Sequence, residues 1–214
     1  VVNAKIAGRT DADVILCVEH PRVFTLGRRG GRENLCVSDA FLAQKGVAVV
    51  PTDRGGNITY HGPGQLVVYP ILHLKATGLG VADYVHCLEE VMLRTAADCG
   101  IRADRNAQNR GVWIGSDKLG SIGITVRRGV SFHGLALNVN TDMEPFGWIN
   151  PCGLAGVRMT SLQQVLDREI PMDELRQTVW QTAARVFDVT LAPITLEGLN
   201  RLLSGEPPVS RKLA

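Results

Sequence analysis

The chain has 214 residues, 45% hydrophobic and 21% charged, which is the make-up of one ordinary globular domain able to bury a normal core. A net charge of +2 is too weak to argue for a phosphate-binding surface, and an aromatic content of 5% argues against a stacking platform for single-stranded nucleic acid. No stretch reaches the ~20 apolar residues of a bilayer span and no secretory signal is visible, so neither nucleic-acid nor membrane partners are expected, and the expected compartment is the cytoplasm.

The chain opens without Met in Val1-Val2-Asn3-Ala4-Lys5, which reads as mid-element, so a native N-terminal segment is expected to be missing. Val14–Glu19 is a short apolar run between polar residues and reads as a buried strand. Ser38 caps a short helix that ends at Gly46, and Val47–Val50 reads as a second strand. A glycine-rich segment, Arg54 to Gln65, runs into a strand at Leu66–Leu72. Val81, Tyr84, Val85, Leu88, Val91, Met92 and Ala96 repeat at helical spacing up to a stop at Gly100. Gly111–Ile114, Leu119–Val126 and Val130–Asn138, joined by Gly115-Ser116-Asp117 and Arg127-Arg128-Gly129, read as an antiparallel meander. Pro171 opens a second helix with Leu175, Val179, Val186 and Phe187 on one face, and a shorter helix covers Leu196–Leu203. With no repeat or linker, the pattern predicts one α/β (α+β) domain around one sheet system, spanning 1–206, with a flexible tail at 207–214.

The cysteines stand at 17, 36, 87, 99 and 152. An odd count, wide spacing and no CxxC argue against a disulfide framework or a structural zinc site. Cys17, Cys87 and Cys99 lie in periodic apolar segments and read as small core residues. Cys152 is different: in Asn150-Pro151-Cys152-Gly153 it sits between a rigid and a permissive residue, outside any periodic element. An exposed, reactive thiol fits that setting better than a packed one.

Arg54–Gln65 holds four glycines, a proline, an arginine and a histidine. Glycine lets a backbone approach a ligand and offer its amides. The segment matches neither a P-loop nor a dinucleotide fingerprint, and alone it fits a plain turn as well as a ligand-lining loop. Gly120, Gly123 and Gly134 interrupt neighbouring strands, which suggests either a backbone-lined slot for a long apolar chain or tight sheet packing. Arg22, Arg28, Arg29 and Arg32 cluster, and Arg127 and Arg128 pair. They read as a solvated face or as a docking patch for an acidic partner.

Taken together, these pieces resemble a known family. Arg54-Gly55-Gly56 followed by Thr59-Tyr60-His61-Gly62-Pro63-Gly64-Gln65, Lys118-Leu119 followed by Ser121-Ile122-Gly123-Ile124, Phe132-His133-Gly134-Leu135-Ala136-Leu137-Asn138, and Asn150-Pro151-Cys152-Gly153 stand in the order of the lipoyl(octanoyl) transferases, the lipoate-protein ligase B family. Thr160-Ser161-Leu162 and His20-Pro21 with Thr25-Leu26-Gly27-Arg28-Arg29 extend the likeness. It implies the α/β domain of biotin and lipoate protein ligases, with mixed and antiparallel sheet and flanking helices. It implies transfer of an octanoyl group from acyl carrier protein, through a Cys152 thioester, to a lysine of apo lipoyl domains. Those domains belong to 2-oxoacid dehydrogenase complexes and the glycine cleavage H protein. By position Cys152 resembles the nucleophile and Lys118 its partner base, with no cofactor and no metal. The acyl-binding set implied is Arg54, Gly55, Gly56, Asn57, Ile58, Thr59, Tyr60, His61, Ser121, Ile122, Gly123, Gly134, Leu135 and Ala136. Two positions depart from the family pattern: Gly120 replaces the usual alanine and His73 a common aspartate. The rival readings are an ATP-dependent lipoate or biotin ligase of the same fold, a thioesterase using the same thiol, and a non-catalytic acyl-binding module.

Overall fold

The computed structural model describes residues 1–150 and 156–204, so Cys152 and the expected tail at 207–214 lie outside the described residues. The elements in chain order are α1 (Val2–Ile6), β1 (Val14–Val18), β2 (Val23–Leu26), α2 (Asp39–Lys45), β3 (Ala48–Pro51), β4 (Thr59–His61), β5 (Gln65–Ile71), α3 (Leu74–Thr77) and α4 (Val81–Asp98). There follow β6 (Asp104–Arg105), β7 (Val112–Ile114), β8 (Asp117–Arg127), β9 (Val130–Asn138), α5 (Leu162–Leu166), α6 (Met172–Phe187) and α7 (Leu196–Ser204).

Local chemistry explains the helix limits. Ser38 Oγ accepts the Phe41 N–H, and Gly46 closes α2 in the left-handed region at φ 66°. Asp83 accepts the Gly80 N–H at the start of α4, and beyond its C-cap Gly100 adopts φ 80°. His73 is the N-cap of α3 without a side-chain capping bond. An aspartate there could accept from the first-turn amides, so this departure from the family pattern concerns a helix end.

The expected meander is present: β7, β8 and β9 pair antiparallel within a six-stranded sheet of order β1-β5-β9-β8-β7-β6. The single sheet system is not. A second sheet, β3-β2-β4, joins a parallel β2–β3 pair to an antiparallel β2–β4 pair. α2 supplies the crossover that parallel neighbours require. β2 and β4 have only four and three residues, too short for a side-chain period to show in the sequence.

Each sheet has its own core. Leu66, Val68, Leu135 and Leu137 of the large sheet pack with Leu88 and Met92 of α4 and with Leu175 and Val179 of α6. Behind the small sheet, Phe24, Ile58 and Tyr60 gather with Phe146 and Trp148, the Tyr60 and Phe146 rings meeting edge to face at 5.4 Å. Cys17 and Cys99 are partly buried against the large core, as a small-apolar role requires. Among the described residues, no helix is long and apolar enough to cross a membrane.

Close approach explains two of the strand glycines. A Cβ on Gly120 would stand 2.4 Å from Met92 Sδ, so this residue faces the core and makes room for α4. A Cβ on Gly134 would stand 2.1 Å from the Val68 carbonyl oxygen, which belongs to a backbone held in the sheet. Gly134→Ala is therefore expected to destabilise the fold by about 1–3 kcal/mol or more. Gly120→Ala should cost less, because a thioether can rotate away. Urea unfolding of the two variants measures both, and equal losses would contradict the distinction.

Candidate functional site

A cavity of 480 Å³ opens where the two sheets face each other, within the size range of small-ligand sites. One wall is the large sheet: Val67 and Tyr69 from β5, Ser121, Ile122 and Gly123 from β8, and His133 to Ala136 from β9. The other wall is the small sheet and the glycine-rich loop: Thr25, Arg54, Gly56, Asn57, Ile58, Thr59 and His61. His20 to Val23, Ala48, Val50 and Thr52 complete it.

Of the fourteen candidates for acyl binding, twelve line this cavity: Arg54, Gly56, Asn57, Ile58, Thr59, His61, Ser121, Ile122, Gly123, Gly134, Leu135 and Ala136. Gly55 and Tyr60 do not. Gly55 donates its N–H to the Ile124 carbonyl at 2.9 Å, and a Cβ there would press on that oxygen. The Tyr60 ring turns into the small-sheet core against Phe24 and Phe146. Gly120, one of the three glycines suggested to line a slot, also lies away from the cavity. Sequence reasoning missed Val23, Thr25, Ala48, Val50, Thr52, Val67 and Tyr69, since most of that wall comes from the unforeseen second sheet. The His20-Pro21 and Thr25 positions within the family motif were the available signal.

The polar groups of the cavity are held in place by other groups. The Arg54 guanidinium bonds the Thr25 carbonyl at 2.6 Å, Thr25 Oγ1 at 2.8 Å and the Gly55 carbonyl at 3.0 Å, tying the glycine-rich loop to β2. Asn57 Oδ1 accepts from Ile58 N at 2.7 Å and from Asn34 Nδ2 at 3.0 Å. His20 Nε2 lies 2.7 Å from the Tyr69 hydroxyl; burial pushes the His20 pKa down and that of Tyr69 up. His133 adopts φ 58°, rare for a residue other than glycine, and its Nε2 meets Asp53 Oδ1 at 2.8 Å. That hydrogen bond, with the charges of His133 and Arg127, keeps the Asp53 carboxyl below its usual range. Burial pushes His61 down to about 4, so its ring is neutral at physiological pH.

Lys118 is the second residue of β8, the strand that lines the cavity three residues further on, and it is 1% exposed. Its Nζ donates to Asn109 Oδ1 at 2.7 Å and lies 5.3 Å from the centre of the Trp113 ring. Its backbone is bridged to the 158–160 segment: Lys118 N donates to the Arg158 carbonyl at 2.9 Å, and Thr160 N to the Lys118 carbonyl at 3.0 Å. On the other side Asn150 N donates to the Asn34 carbonyl at 2.8 Å. Cys152 lies outside the described residues, and so does its expected meeting with Lys118. Among the described residues no group of three His, Cys, Asp or Glu is placed to hold a metal ion.

The cationic cluster divides. Arg22 pairs with Asp142 at 2.5 Å, Arg32 with Asp39 at 2.6 Å and Arg127 with Asp53 at 2.9 Å. Arg28 and Arg29 are exposed on a turn stitched to the glycine-rich loop, Arg28 N to the Arg54 carbonyl and Arg29 N to the Gly56 carbonyl. They stand beside the cavity.

A largely apolar space with a few fixed polar groups suits a fatty-acyl chain bearing one reactive end. Comparison with known proteins points the same way. Residues 2–184 match the model of the lipoyl protein ligase A/B catalytic domain. An octanoyltransferase of Desulfotalea psychrophila is 53% identical over 189 residues, covering 87% of this chain and 85% of the relative. A chain from the structure of a bi-partite lipoate protein ligase and its E2 lipoyl domain from Thermoplasma acidophilum superposes with a TM-score of 0.74 at 15% identity, covering 94% of this chain and 83% of its own. A biotin protein ligase from Aquifex aeolicus superposes with a TM-score of 0.53 at 14% identity, covering 79% and 71%. These two likenesses establish the common α/β fold.

Proposed function

Since the chain belongs to the lipoyl protein ligase A/B catalytic-domain family, we propose that it is an acyltransferase moving an octanoyl group from acyl carrier protein to a lysine of apo lipoyl domains. The acceptors proposed are the lipoyl domains of 2-oxoacid dehydrogenase complexes and the glycine cleavage H protein. The unit that does this is residues 1–206, and the compartment is the cytoplasm, where thiols stay reduced. The observation that carries the reading is the apolar cavity on β8 and β9, on the same strand as buried Lys118, in a chain 53% identical to an octanoyltransferase.

In the first half-reaction the Cys152 thiolate attacks the carrier thioester. A C–S bond forms to Cys152, the carrier C–S bond breaks, and the departing thiolate takes a proton from the Lys118 ammonium. In the second, the neutral amine of the acceptor lysine attacks octanoyl-Cys152. The amide forms, the enzyme thiolate leaves, and the amine's surplus proton passes to neutral Lys118. A thioester is exchanged for a thioester and then for an amide, so no nucleotide is consumed. Intact mass spectrometry tests this. Incubation with octanoyl-carrier protein and no ATP should add one octanoyl group to the enzyme, and apo lipoyl domain should remove it. Labelling only in the presence of ATP would instead favour a ligase.

Arg28 and Arg29 are the proposed contact for the acidic carrier. Rim charges act mainly on encounter rate. Arg28→Glu with Arg29→Glu should lower carrier-dependent kcat/KM by about tenfold or more at low ionic strength, with kcat nearly unchanged and the effect shrinking as salt rises. Stopped-flow acylation at two salt concentrations measures it, and a salt-independent loss would remove these residues from docking.

A further inference from the structure

The orientation of a buried amide is decided by neighbours that have only one role. A backbone carbonyl can only accept, so Asn138 turns Nδ2 to the Thr160 carbonyl at 2.9 Å and leaves Oδ1 facing Gln65. Gln65 Nε2 then donates twice, to Asn138 Oδ1 at 2.9 Å and to the Tyr60 carbonyl at 3.2 Å. With both amide protons committed, its Oε1 is the atom that meets His61 Nδ1 at 2.7 Å. An acceptor oxygen at that distance requires the proton to be on Nδ1. Gln65 is 2% exposed and Asn138 1%, so water does not compete for these bonds.

We propose that Gln65 and Asn138 are positioning residues that lock His61 as the Nδ1–H tautomer, so that its Nε2 lone pair accepts a hydrogen bond from an N–H of a substrate in the cavity. This deepens the octanoyl-transfer reading and rests on it. His61 lines the cavity, and with Nδ1 taken by Gln65 its remaining nitrogen is the one it can offer there. Desolvation, assisted by Arg54, His20 and His133 and opposed by the Gln65 bond, holds the ring neutral with a pKa near 4. So weak a base orients an N–H and leaves its proton in place. Two N–H groups enter in turn under the proposed cycle: an amide of the donor's thioester arm, then the amine of the acceptor lysine. The relay also reaches Lys118, because Thr160, whose carbonyl fixes Asn138, donates its own N–H to the Lys118 carbonyl at 3.0 Å.

His61→Asn keeps a donor at the Nδ1 position and deletes the acceptor at Nε2, while His61→Gln puts an amide oxygen where Nε2 stood. His61→Asn should slow one half-reaction by about tenfold, and His61→Gln should recover much of that rate. Slower formation of octanoyl-enzyme identifies the donor arm as the source of the N–H; slower transfer to the lipoyl domain identifies the lysine. Unchanged rates in both halves would overturn the proposal. In the wild-type protein, nitrogen-15 NMR should show the Nδ1–H tautomer of His61 across roughly pH 6–8. An Nε2–H tautomer, or an imidazolium in that range, would equally overturn it. Gln65→Glu should draw a proton onto His61 and create a pH dependence near neutrality that the wild type lacks. If the wild type forms no octanoyl-enzyme, the functional reading fails, and the tautomer is still judged separately by NMR.

Discussion

Cys152→Ser is expected to abolish the octanoyl-enzyme adduct in intact mass spectrometry and to lower transfer by on the order of a thousandfold or more. A free thiol with a pKa near ~8.5 is only ~3% thiolate at pH 7, and a shift to ~7 would make about half of it reactive. That shift corresponds to about 2 kcal/mol, which a neighbouring ammonium can provide in a partly desolvated site. A hydroxyl lies several pH units further from ionisation, and no such neighbour brings it within range. Under the proposed cycle the variant therefore loses both the nucleophile and the good leaving group of the second step. Cys36→Ser and Cys99→Ser serve as controls, since Cys36 is exposed at a distance in sequence and Cys99 is partly buried. An adduct that persists in Cys152→Ser and vanishes in either control would reassign the nucleophile.

Lys118→Met is expected to lower the rate of transfer by about 10²–10⁴-fold, the usual worth of a positioned acid–base group. Its effect on stability should be far smaller. Removing a buried cation in favour of an apolar chain of similar volume is often neutral, and the bond to Asn109 Oδ1 that goes with it is worth about 1 kcal/mol. A merely structural lysine would show the opposite balance, with melting temperature and activity falling together. Lys118→Arg separates charge from proton transfer. It keeps a cation near Trp113, but guanidinium does not release its proton at neutral pH, so the rate should stay depressed. Wild-type turnover by the folded Lys118→Arg protein would exclude Lys118 as the base, whereas circular dichroism identifies the trivial case of a misfolded variant.

Much of the framework could be read from short windows of sequence. α4 carries its period and its stop at Gly100 in the sequence, α6 its opening proline and its period, and α2 its Ser38 cap and its stop at Gly46. The three meander strands are announced by turns of two to three residues with glycine. These are local physical effects: backbone propensity, capping bonds and the alternation of apolar side chains. The candidate motifs were likewise visible, and twelve of their residues converge on one cavity.

What the chain alone decided is therefore the identity of its longer elements and the set of chemically unusual residues. Pairing across long distances decided the rest. β2 and β4 become strands only by adding to β3 and to each other, so the second sheet, and with it the places of Val23, Thr25, Ala48 and Val50 in the cavity wall, could not be foreseen from three- and four-residue runs. Tyr60 and Gly120 face cores, while their neighbours His61 and Ser121 face the cavity, because strand alternation needs a partner before it acquires an inside. The protonation of His61 is the extreme case. It depends on Gln65 four residues away, on Asn138 seventy-three residues beyond that, and on one carbonyl of Thr160 that can accept but never donate.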